Sequence, residues 1–137
     1  MKSFIGSRHQ DNRGVITYNN DFDASPVKRI YIIENADTAL VRGWQGHKIE
    51  RRWFCCVSGS FEIAVVKIDN FEAPNPQSAI HRFVLTDHEL TYLAVPAGCM
   101  TAIRALDINS KLLVMSDFRL GEIQDEYRLD SNYFHQG

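Results

Sequence analysis

An all-β domain, a sandwich or barrel of short strands, is what the pattern of this chain dictates. Short runs rich in β-branched and aromatic residues recur along its whole length. Asp, Asn, Gly and Pro separate them, which marks turns rather than helical connections. Several runs are apolar at consecutive positions, as in strands covered on both faces.

The elements follow in order. Residues 15–18 come after the turn Asp11-Asn12-Arg13-Gly14, and residues 27–33 after Ser25-Pro26. Residues 52–57 and 61–68 flank a turn at Ser58-Gly59, and residues 79–85, 91–95, 100–106 and 112–115 continue the series. Residues 71–78, with Pro74 and Pro76, cannot join a central strand. Residues 121–127 are the one helical candidate. In the run 61–66, Phe61, Ile63 and Val65 share one face, and Ala64 and Val66 the other. In so small a chain, a second subunit is the expected cover for one of those faces, which predicts a homodimer.

With 137 residues, the chain is expected to be one domain, residues 1–137. Hydrophobic residues make up 45% and charged residues 23%, a globular composition. The net charge is -2 with no basic stripe, which argues against nucleic acid as a partner. No apolar run reaches membrane-spanning length, and Met1-Lys2-Ser3-Phe4-Ile5 lacks the apolar core of a secretory signal. The expectation is a soluble, cytoplasmic protein with no membrane partner. Cys55, Cys56 and Cys99 form neither a disulfide framework nor a zinc spacing.

Two glycine- and proline-punctuated segments carry the chemistry. The first is Arg42-Gly43-Trp44-Gln45-Gly46-His47-Lys48, running on to Ser58-Gly59-Ser60; the second is Val95-Pro96-Ala97-Gly98-Cys99-Met100-Thr101. Together they have the layout of the two cupin motifs, which implies a double-stranded β-helix, or jelly roll. The positions where a metal cupin carries its ligands are mostly empty. Gln45 is a poor ligand, Glu50 falls early, and Thr101 stands where a His is expected. Neither a metal nor another cofactor is expected, and catalysis falls to side chains.

His47 is the first candidate, because a free imidazole titrates near pH 6.5. Gln45 lies two residues away and shares its face on an extended segment. His47 would take a proton from a carbon beside a ketone while Gln45 steadies the enolate oxygen. A His that only hydrogen-bonds inside the barrel is the plainer alternative. His9, His81, His88 and His135, near loops or ends, suit the role less. Arg42, Arg29, Arg51, Arg52 and Arg104 suggest an anion, since guanidinium matches phosphate; internal pairing with carboxylates is the alternative. Tyr31, on the face of Arg29, and Tyr127 are candidate proton donors or packing groups.

At these residues the chain resembles the dTDP-sugar isomerase and epimerase branch of the cupins, most closely the dTDP-4-keto-6-deoxyglucose 3,4-ketoisomerases. The resemblance runs from Asp11-Asn12-Arg13-Gly14 through residues 27–32, 41–48, 57–60 and 95–98 to Ser116-Asp117-Phe118 and Asp125-Glu126-Tyr127. It implies a jelly-roll dimer, often with an exchanged N-terminal strand, a dTDP-sugar substrate and no metal requirement. His47 matches the second His of the ketoisomerase motif Arg-Gly-x-His-x-His-Lys. Gln45 replaces the first, the position where the related 3,5-epimerases keep their base. The resemblance makes His47 the catalytic base, alone or with Tyr31, and the spacing adds Gln45 as the group that steadies the oxygen. It places Arg42 on the sugar or diphosphate, Arg29 and Tyr31 along the pocket, and Arg13 at a partner's site if the N-terminal strand is exchanged; the residues themselves add Arg104 and Tyr127 as candidate substrate-binding groups. Loss of activity with retained sugar-nucleotide binding is the alternative that Gln45 raises.

Overall fold

The computed structural model describes residues 1–135. Among them are twelve strands and no helix: β1 (Lys2–Phe4), β2 (Ser7–Asp11), β3 (Gly14–Tyr18), β4 (Arg29–Ile33), β5 (Val41–His47), β6 (Arg52–Ser58), β7 (Ser60–Lys67), β8 (His81–Thr86), β9 (Tyr92–Val95), β10 (Cys99–Ala105), β11 (Lys111–Ser116) and β12 (Tyr127–Arg128). One five-stranded sheet has the order β1-β9-β6-β11-β4, and the second has the order β12-β5-β10-β7-β8. All their pairings are antiparallel, and β2 and β3 form a separate two-stranded ribbon. This is the all-β cupin-type jelly roll that the sequence implies.

Alternation fixes what each strand buries. Phe54, Phe61, Ile63, Val65, Leu93, Leu112 and Val114, from both sheets, meet between them in the main core. On β7, Ala64 and Val66 turn the other way, into a second cluster with Trp44, Met100, Ala102 and Phe134. The cover expected from a second subunit is therefore supplied by the chain itself. Phe71, Leu129, Tyr133 and Phe134 fold back over that face. Trp44 and Leu129 exchange backbone hydrogen bonds of 3.1 and 2.9 Å, and the Trp44 indole donates to the Ser131 carbonyl at 3.2 Å.

Residues 121–127 are not a helix. The Asp125 carboxylate accepts from the amides of Lys48, Ile49 and Glu50, so the segment is held by long-range bonds in place of its own i−4 ladder. The β2–β3 ribbon projects from the sandwich, with every position but Thr17 exposed. The three cysteines are free and buried, and burial pushes the Cys55 thiol up to about 12.

Candidate active site

The site begins with an irregularity in β5. On β10, Thr101 pairs with Gln45 and Ile103 with Arg42, so Gly43 and Trp44 together stand against one residue. Strict alternation from His47 would turn Arg42 outward. The extra residue returns it to the inner face, and Arg42, Gln45 and His47 all line one cavity. Two glycines let β5 lie this close to β10. A Cβ on Gly43, at φ +151°, would sit 2.7 Å from the Ala102 Cα, and one on Gly46 would sit 2.6 Å from the Cys99 carbonyl oxygen.

The cavity, about 580 Å³, lies between the sheets. Across it from β5, the first sheet supplies Arg52 and Tyr31. Arg29, Ser116, Arg52 and Val95 form one rung of that sheet. A neighbouring cavity of about 510 Å³ shares His47, Glu50 and Arg52, and adds Arg29 and Arg119.

His47 is 9% exposed. Its Nδ1–H donates to the Asp125 carbonyl oxygen at 2.9 Å. A carbonyl can only accept, so in the neutral ring the proton is on Nδ1 and Nε2 carries a lone pair. Among the described residues Nε2 has no protein partner. No buried side-chain nitrogen or oxygen among them is left unpartnered either, so this atom reaches open space. Burial pushes the imidazole below its ordinary pKa, and the Arg52 charge acts the same way; Glu50 and Asp125 oppose them. The neutral, basic form is favoured.

Glu50, 8% exposed, is held by Arg52, while its Oε2 lies 3.8 Å from His47 Nδ1. Arg52 also donates to the Tyr31 hydroxyl oxygen. That leaves the Tyr31 O–H free to donate in turn. The Arg29 guanidinium lies 4.6 Å above the Tyr31 ring. Among the described residues, no three His, Cys, Asp or Glu side chains converge as a ligand set for a metal.

The Gln45 amide nitrogen donates to Glu126. A carboxylate only accepts, so it fixes which end of the amide faces it. Glu126 also pairs with Arg128 at 2.9 Å, and this ion pair holds the Glu126 carboxyl below its ordinary pKa.

The cavity thus gathers His47, Gln45, Tyr31 and Arg42 as the sequence suggested. Arg29 lines the neighbouring cavity. Tyr127 also borders that second space, but its ring packs on Phe71 in the outer cluster. Arg104 does not join the site. It follows inward-facing Ile103 and so turns outward, to a groove beside Arg82 and Phe134. Arg13 is at the tip of the ribbon, paired with Asp11 at 2.8 Å. The sequence reading weighed Glu50 only as a metal ligand and missed Asp125, Glu126 and Arg128 as site residues. The alternation Glu126-Tyr127-Arg128 hints at a strand, but nothing local says that it pairs with β5.

A family profile for FdtA, described as WxcM-like, C-terminal, matches residues 3–136. Among solved structures, a mutant of the 3,4-ketoisomerase QdtA from Thermoanaerobacterium thermosaccharolyticum, in complex with TDP-4-keto-6-deoxyglucose, is 19% identical. Its TM-score is 0.70, covering 96% of this chain and 89% of that one. A 3,4-ketoisomerase from Helicobacter canadensis is 22% identical, with a TM-score of 0.66 over 88% of this chain and 86% of the other. The rmlC epimerase of Mycobacterium tuberculosis is 17% identical, with a TM-score of 0.75 over 94% and 68%. At such identities the likeness is one of fold. No curated protein matches the chain.

Proposed function

From a chain that belongs to the FdtA family, WxcM-like, C-terminal, we infer a sugar-nucleotide isomerase acting on a dTDP-4-keto-6-deoxyhexose. The observation that carries this reading is the bare Nε2 of His47, a buried imidazole kept neutral in a cavity that also holds Arg52 and Tyr31. Nε2 takes the proton from the carbon beside the ketone, and the C–H electron pair moves into a C=C bond as the carbonyl oxygen becomes an enolate. Tyr31 and Arg52 donate to that oxygen. The imidazolium then returns the proton. Return to the former carbonyl carbon, with a hydroxyl proton passing between the two oxygens, gives the ketoisomer. If instead a second acid such as Tyr31 protonates the original carbon from the opposite face, an epimer forms; the imidazolium then gives its proton to solvent and the phenolate takes one back. Arg42, Arg128 and Arg29 supply cationic groups for the diphosphate. The reading needs no metal or cofactor.

The working unit in this reading is a homodimer in the cytoplasm. What supports the dimer is the projecting ribbon, with Ile16 58% exposed, and the outer face of β4, with Ile30 65% and Ile32 52% exposed. An exchanged ribbon would carry Arg13 toward the partner's cavity.

The test is incubation with dTDP-4-keto-6-deoxyglucose in deuterium oxide, followed by NMR of the sugar. A new keto sugar or epimer is expected, with deuterium at the reprotonated carbon to the extent that the imidazolium exchanges with solvent; the absence of both a new sugar and exchange at any ring carbon overturns the reading. Gln45, standing where the ketoisomerase motif has a His, favours a second reading, a binder without turnover. Saturable dTDP binding with no new sugar and no exchange would establish it.

A further inference from the structure

Asp125 engages the catalytic loop with two different groups. Its backbone carbonyl accepts Nδ1–H of His47 at 2.9 Å. Its carboxylate accepts the amides of Lys48 at 2.9 Å and of Ile49 and Glu50 at 2.8 Å each. All four bonds land on residues 47–50, where β5 runs into its turn. Asp125 is 6% exposed, and three backbone amides converge on its one carboxylate.

The carbonyl has little else to hold it. Residues 117–126 contain no regular element, and ladder pairing resumes only where Tyr127 meets Gly46. At its far end this strap is tied by Asp117, which accepts from the Arg51 amide at 2.8 Å and from its guanidinium at 2.9 Å. Near His47, Gln45 holds the Glu126 side chain and β12 begins at Tyr127, but only the carboxylate of Asp125 ties the strap to residues 48–50.

We propose that Asp125 is the positioning residue for the His47 base: its carboxylate clamps the strap to residues 48–50 so that its carbonyl stays on Nδ1–H and leaves Nε2 free for a proton. The alternatives lie close by. Glu50 Oε2 stands 3.8 Å from Nδ1 as a rival acceptor, and Arg52 already engages it. With the clamp removed, Nδ1 loses its fixed acceptor, the ring is free to turn, and the tautomer with its proton on Nε2 becomes populated. That tautomer has no lone pair at the atom facing the cavity. The kinetic part of this proposal rests on the isomerase reading; the tautomer part does not.

The experiment uses the full chain labelled with 15N-histidine. Long-range proton–nitrogen spectra are recorded at a pH where the ring is neutral, with His47→Asn identifying the signals. The unsubstituted protein is expected to show His47 as the Nδ1–H tautomer alone. Asp125→Ala is expected to show a mixture, with kcat lowered by roughly 100-fold and KM changed far less. Asp125→Asn keeps one acceptor oxygen, so it is expected to restore part of the tautomer bias and of kcat. It carries the test alone should the alanine variant not fold. Asp117→Asn, which loosens the far end of the strap, is expected to leave the tautomer unchanged. A pure Nδ1–H tautomer in both Asp125 variants overturns the proposal. If those variants mix the tautomers while the parent protein forms no new sugar and exchanges no sugar proton, positioning stands and the isomerase reading falls.

Discussion

The two ends of the space between the sheets are built on opposite principles. At one end, Phe61, Ile63, Val65, Leu93, Leu112 and Val114 are each 0% exposed and leave no gap for a ligand. At the other, β4, β5, β6 and β10 part around about 580 Å³ lined by a histidine, arginines and two carboxylates. Apolar burial stabilises the first end. The second buries groups that water would solvate better, and satisfies them through Asp125, Glu50 and Arg52. Stability and chemistry thus sit in one sandwich but on different rows of side chains.

The largest separation of the two is expected from His47→Asn. It should lower kcat by about 10²–10⁴-fold while changing stability by less than about 1 kcal/mol, read by deuterium exchange and denaturant titration. Phe61→Ala attacks the packed end. It should cost about 3–5 kcal/mol, with dTDP affinity retained below the new melting point. Equal loss of affinity in that variant would mean that the two ends are not separable. Glu50→Gln leaves Arg52 without its carboxylate partner and should cost about 1–3 kcal/mol. The same change withdraws a negative charge beside His47, so the acid limb of kcat/KM should move further down.

The pH dependence of the parent protein sharpens the contrast. His47 is held below the ordinary imidazole pKa, by burial first and then by Arg52. The base form therefore survives to lower pH, and the acid limb of kcat/KM should fall below about 6.5. Stability follows the same sign. The unfolded chain takes up the proton at about 6.5 and the folded chain only below that, so the His47 contribution is whole above about 6.5 and is lost as pH falls. A limb at or above that value would contradict the buried placement. Arg104→Ala should be the smallest effect, within about 0.5 kcal/mol and without change in kcat, because that side chain faces the outer groove.

How far the sequence reached differs in the same way. The packed end was legible, since Phe61, Ile63 and Val65 alternate and turns at Ser58-Gly59 and Pro96-Ala97-Gly98 mark the strand ends. The hollow end was legible only in its central strand. His47 and Gln45 share a face by simple spacing, but Arg42 reaches it through a two-against-one pairing that no local pattern reveals. Arg104 was open to exclusion: Thr101 and Ile103 face inward, so the residue after Ile103 faces out. Asp125, Glu126 and Arg128 enter from the other end of the chain, by a pairing of only two residues between β12 and β5. The strand Ser7–Asp11 carries one polar residue after another and gave no β signal, because it depends on its partner β3 rather than on a buried face.

The doubled step at Gly43 and Trp44 has a consequence for how such a strand can diversify. It resets the phase of β5 between Arg42 near its start and His47 at its end. Removing one of those two residues would swing Arg42 to the outside while Gln45 and His47 kept their places. Upstream side chains can in this way be exchanged between the lumen and the exterior by a single-residue length change, leaving the His47 ring where it stands.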